Sequence, residues 1–97
     1  MKPVVFLPEA EQEMLEAARY YDSQASGLSI DYLSEIERAV VAISESPMTW
    51  PILEGKLRRR LVRRFPFGIL YHIEPKEIVI VAVAHLSRRP GYWRGRI

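Results

Sequence analysis

The sequence predicts an α+β domain in which a helical hairpin covers one face of a mainly antiparallel sheet. Three observations carry that expectation. Residues 8–46 hold two stretches with apolar side chains at helical spacing, separated by the loop-forming run Ser23-Gln24-Ala25-Ser26-Gly27. Residues 58–86 hold three short runs rich in β-branched and aromatic residues, divided by Pro66 and by Glu74-Pro75-Lys76-Glu77. A length of 97 residues, 48% of them apolar, supports one core and leaves little room for a second. Residues 1–97 are therefore read as a single domain.

Taken in order, residues 4–7 form a short apolar strand closed by Pro8. Pro8-Glu9-Ala10-Glu11 then opens a helix, because proline suits the first turn and carboxylates suit the positive end of the helix dipole. Ala10, Met14, Ala17, Ala18 and Tyr21 make its apolar stripe, while Glu9, Gln12, Glu13 and Glu16 are expected to face water. A second helix starts near Ser29, carries the stripe Ile30, Leu33, Ile36, Val40 and Ile43, and stops at Ser46-Pro47. Residues 47–56, with two prolines, Trp50 and Gly55, read as a loop in which Trp50 plugs the open end of the core. Strands follow over 58–65, 68–73 and 78–86, the last being the most apolar and expected at the centre. The order is β-α-α-β-β-β, with the last three strands as an antiparallel meander.

Composition excludes several classes. No stretch approaches the roughly 20 apolar residues that cross a bilayer, and the N-terminal run is too short and proline-broken for a signal peptide. The chain has no cysteine, so it offers no disulfide framework and no thiolate metal site. A cytoplasmic protein without membrane contact, metal or other cofactor is expected. The net charge of +2 hides a segregation: residues 1–56 hold four Lys/Arg and ten Asp/Glu, a balance of −6, whereas residues 57–97 hold ten and two, a balance of +8. Nine of those ten cations are arginine. The guanidinium fork suits phosphate and carboxylate alike, so a polyanion or an acidic protein is the expected partner.

Two clusters carry the candidate chemistry. In Arg58-Arg59-Arg60-Leu61-Val62-Arg63-Arg64, alternation along a strand would group Arg59 and Arg63 with Leu61 and Phe65, and Arg58, Arg60 and Arg64 with Val62. Some of these guanidinium groups should pair with helix carboxylates, leaving one or two free on the open sheet face. The tail His85-Leu86-Ser87-Arg88-Arg89-Pro90-Gly91-Tyr92-Trp93-Arg94 interleaves arginines with aromatics, a pattern that stacks on bases or anchors a protein interface, or folds back over the sheet. No phosphate-binding glycine loop, metal-ligand spacing or nucleophile–base pair is present. Metal-free RNA cleavage would need a base, an acid and charge stabilisation at the phosphate. Arginines could supply the last, and only His85 or Tyr92 is placed to move protons.

The segment Arg59-Arg60-Leu61-Val62-Arg63-Arg64-Phe65-Pro66-Phe67-Gly68-Ile69-Leu70-Tyr71, the strand over 78–84, the ending His85 to Trp93 and the first helix from Pro8-Glu9-Ala10 to Asp22 together resemble the RelE/ParE toxin superfamily. The Phe-Pro-Phe-Gly-Ile-Leu-Tyr and Arg-Arg-Pro-Gly-Tyr-Trp stretches are more similar to its ParE-like, plasmid-stabilisation branch. That resemblance implies the toxin of a type II toxin–antitoxin pair, forming a hetero-oligomer with a small cognate antitoxin whose N-terminal region binds DNA. A ParE-like member would poison DNA gyrase without catalytic residues, presenting Arg58, Arg60, Arg64, Arg89, Trp93 and Arg94 to target or antitoxin. The alternative is a RelE-like nuclease that cuts mRNA on the ribosome through Arg63, Arg88, Tyr92 and His85. A third reading is a non-toxic RNA-binding or operon-regulating module.

Overall fold

The computed structural model describes residues 2–97. Strand β1 (Val4–Phe6) leads into α1 (Pro8–Gln24) and α2 (Leu28–Glu45), followed by β2 (Ile52–Glu54), β3 (Leu57–Leu61), β4 (Phe67–Ile73), β5 (Ile78–His85) and a last 3-10 turn, Arg94–Arg96. The five strands form one sheet in the order β1-β5-β4-β3-β2. Among the described residues only β1 pairs in parallel, with β5; every other neighbour is antiparallel. The expected class and hairpin-on-sheet architecture are therefore the ones observed.

Several expectations need correction. The 47–56 loop contains β2, three residues whose pairing with β3 the prolines on its N-terminal side and Gly55 concealed. The arginine strand ends at Leu61, not Phe65, because Arg64 takes a positive φ of 69° that turns the chain toward β4. Helix α2 buries Tyr32, Ile36, Ala39 and Ile43, and leaves Ile30 68% and Leu33 38% exposed. Strand β5 is interior, between β1 and β4, and β4 holds the middle of the sheet.

The core lies on both faces of the sheet. On the helix side, Tyr21, Tyr32, Phe65 and Phe67 pack edge-on or tilted with ring centres 5.0–5.5 Å apart in four of their contacts, above Ile69, Tyr71, Ile80 and Val83. On the other face Leu57, Leu70, Val79, Val81 and Ala82 form a second apolar layer, and Trp93, 5% exposed, closes over it. No helix among the described residues is long and apolar enough to cross a membrane.

Candidate functional site

The register of β3 against β4 separates the arginines by face. Arg58 lies opposite Tyr71 and Arg60 opposite Ile69, on the helix side, whereas Arg59 lies opposite Leu70 on the other face. Arg58 donates to the main-chain carbonyls of Met48 (3.2 Å) and Trp50 (2.7 Å), tying down the loop before β2. Arg60 stacks over the Trp50 ring, 4.9 Å from its centre, and donates to the Leu61 carbonyl. Trp50 itself is half-buried against the helix-side core. Arg63 is exposed in the β3–β4 turn, and Arg64, beside it, lies over the Phe65 ring at 5.6 Å and 3.7 Å from Asp31.

The tail crosses the face opposite the helices. A groove of about 210 Å³ runs between it and the sheet, with Gly68, Leu70 and Ala84 among its floor residues and Arg59, His85, Arg88, Arg89, Tyr92, Trp93 and Arg94 around it. Gly68 matters here because a Cβ would sit 3.1 Å from Cδ of Arg59, which lies across it. Six of the residues nominated from the sequence thus surround one groove, and Arg58, Arg60, Arg63 and Arg64 lie outside it. Arg59 was missed as a site residue, although its place on the face of Leu61 was legible from strand alternation.

One carboxylate organises the tail. Past Phe6, strand β1 ends, and a register shift at Leu70/Tyr71 leaves Val81 as an extra residue of β5. The β5 edge there is completed by side chains. Glu13 Oε1 accepts the Val83 N–H (3.1 Å), and the Val81 carbonyl accepts from Arg96 (3.1 Å). Arg96 also donates to both oxygens of Glu13, at 2.8 and 3.0 Å, and the Tyr92 hydroxyl donates to Glu13 Oε2 at 2.6 Å. Glu13, expected on a solvated face, is 12% exposed at its side chain. The guanidinium groups of Arg88 (3.9 Å) and Arg96 (5.1 Å) both lie against the Tyr92 ring. Burial, and then the hydrogen bond to Glu13, push the Tyr92 phenol above its ordinary value. Further along, Arg94 grips Glu54 with two hydrogen bonds of 2.7 and 2.8 Å.

His85 and His72 sit on neighbouring strands but at opposite ends, since His85 faces Phe67 and His72 faces Val79. The His85 Nδ1 accepts the Ser87 main-chain N–H at 3.0 Å and lies 2.7 Å from the Ser87 hydroxyl. An N–H can only donate, so Nδ1 holds a lone pair and the neutral ring carries its proton on Nε2. Among the described residues no group of His, Asp or Glu could hold a metal ion.

Residues 4–90 match the family described as the ParE toxin of the type II toxin–antitoxin system parDE. The chain belongs to the ParE toxin family. A solved structure titled "Chromosomal ParDE TA system from P. aeruginosa" shares the fold, with a TM-score of 0.66 at 15% identity, over 90% of this chain and 98% of that one. No curated protein sequence matches. The part of this ParE-family chain beyond the matched residues, 91–97, includes Tyr92, Trp93, Arg94 and Arg96, the groups that dock the tail on the sheet.

Proposed function

We propose that this chain arrests bacterial growth by binding, as a poison of DNA gyrase, and that a cognate antitoxin neutralises it in the cytoplasm. The observation that carries the reading is that both candidate proton carriers are occupied. RNA cleavage needs a group that takes the proton of the attacking 2′-hydroxyl. The Tyr92 hydroxyl donates to Glu13, and its raised phenol value keeps it protonated at neutral pH. The His85 lone pair that would accept a proton is already turned to Ser87. A surface with guanidinium groups and no available base suits docking better than catalysis. The groove walls are basic over an apolar floor, which also suits an antitoxin segment carrying carboxylates between apolar side chains.

The test is tightly induced expression in a bacterial host carrying a DNA-damage reporter. Growth arrest with reporter induction, relieved by co-expression of the antitoxin encoded beside the gene, is the expected outcome. Arrest with a silent reporter and new mRNA ends in the ribosomal A site would replace this reading with the nuclease one. No arrest at all would favour a non-toxic regulatory module.

A further inference from the structure

The outer edge of the sheet is unfinished. Strand β2 meets β3 at the pairs Ile52–Arg58 and Glu54–Leu57, and the last link is the Arg59 N–H donating to the Pro51 carbonyl at 3.1 Å. Strand β3 continues to Leu61. The alternation of an antiparallel ladder turns the Leu61 main-chain groups the same way as those of Arg59, outward, where no further strand meets them; Arg60 caps the carbonyl, and the N–H has no ladder partner. Edge strands are ordinarily guarded by charge, proline or a covering loop. Here Ile52 is 56%, Leu53 42% and Leu61 51% exposed.

Beside this edge a groove of about 390 Å³ is lined by Trp50, Pro51, Arg59, Arg60 and Leu61. Two of these residues hold buried donors with no acceptor among the described residues, the Trp50 Nε1–H and the Arg60 Nε–H. The Arg59 guanidinium likewise makes no hydrogen bond or ion pair with any described residue. A buried donor left unmatched costs about 1–3 kcal/mol, so the groove is short of acceptors while the neighbouring ladder is short of a strand.

We propose that this edge is a docking site for an extended, acidic segment of a partner chain, added as a strand beside β3. Its main-chain carbonyls would meet the Leu61 N–H and the orphaned donors. Side chains of one face would set carboxylates on Arg59, and those of the other face would lay apolar groups on Trp50. A basic rim, an open ladder and unmatched donors converge on that one occupant. The inference rests on the reading that the chain is held by a partner protein, and it places the contact at the sheet edge, which shares only Arg59 with the groove under the tail.

The chain's two tryptophans make the test local, since the Trp50 indole N–H reports the edge and the Trp93 indole N–H reports the tail groove. The probe is a capped peptide of about six residues, a typical strand length, alternating Glu and Leu, with a Lys-for-Glu isomer as control. In nitrogen-edited NMR the acidic peptide should shift the Trp50 indole and the Arg59 and Leu61 amides saturably, leaving the Trp93 indole in place. The Lys isomer, and the acidic peptide on an Arg59→Glu variant with unchanged Trp93 resonances, should bind at least about tenfold more weakly. Shifts confined to Trp93 and the tail, or no shift at Trp50, would overturn the proposal. Movement of the Trp50 signal with protein concentration alone would overturn it too, in favour of a second copy on the same edge. Antitoxin rescue of growth would stand under each of those results, so the two readings fail separately.

Discussion

At Glu13 a carboxylate takes a main-chain N–H, a phenol and a guanidinium at once, with its side chain 12% exposed. Removing it would leave Arg96, 16% exposed at its side chain, without its counter-charge. Breaking such a pair from one side costs more than the pair is worth intact. Glu13→Ala should therefore lower stability by about 2–4 kcal/mol in denaturant unfolding, and speed amide exchange over residues 88–97. Unchanged exchange there would show that the tail is held by Trp93 alone. Tyr32 gives the opposite expectation. Its hydroxyl is fully buried with no partner among the described residues, so Tyr32→Phe should match or exceed the wild type by up to about 1 kcal/mol in thermal melts. A loss larger than that would mean the hydroxyl has a bound partner. Neither role was legible in the sequence. Helical spacing sets Glu13 at the margin of the stripe, three residues after Ala10 and four before Ala17, but its partners lie 70 to 83 residues away.

At the level of elements, the sequence was most informative where one period dominated. Helix α1 and strands β4 and β5 came out within one or two residues of their observed limits, because each had one apolar pattern between clear stops. Helix α2 did not. Leu28, Ile30, Leu33, Ile36, Val40, Val41 and Ile43 are distributed around much of its circumference, so spacing alone could not choose the face that Tyr32, Ile36, Ala39 and Ile43 bury. Strand β2 has three residues, all exposed, and shows no alternation of burial. Strand β3 looked longer than it is because Val62 and Phe65 are buried, although they leave the ladder around the positive φ of Arg64. The tail has a comparable backbone constraint. Gly91 has a φ of +80°, and a Cβ there would strike the Arg94 guanidinium that grips Glu54. Gly91→Ala should cost about 1–2 kcal/mol in denaturant unfolding and release Arg94. Equal stability would mean that the turn repacks freely.

Over the whole molecule, the segregation of charge becomes ties from the acidic part of the chain to the basic part, Glu13 to Arg96 and Glu54 to Arg94, while Glu74 to Lys56 runs the opposite way. This part of the site was half legible. The sequence located the arginines, and only the fold could say which of them meet carboxylates and which stay free. Hydrogen bonds from Arg94 and Lys56 hold the carboxyls of Glu54 and Glu74 below the ordinary range. A depressed folded value means a contribution present above the unfolded carboxylate value of about 4.3 and lost as pH falls through the folded one. Melting temperature should therefore drop on acidification below about pH 4.5, and less steeply in Glu54→Gln. On the alkaline side, burial pushes the Tyr71 phenol up to about 12, and Tyr32 and Tyr92 upward as well. Their contribution is complete below the ordinary phenol value of about 10 and is lost as pH rises through the folded values. Thermal melts across both limbs check the signs, and a flat acid limb would contradict the carboxylate ties.

The central claim is that this toxin acts by binding and not by proton transfer. The most direct measurement adds the purified protein to DNA gyrase and closed circular DNA, then looks for trapped, linear DNA after the enzyme is removed. The account predicts linear DNA with the wild type and with a folded His85→Ala/Tyr92→Phe variant alike. Absence of trapped DNA, with ribosome-dependent mRNA cleavage that the same double variant abolishes, would contradict it.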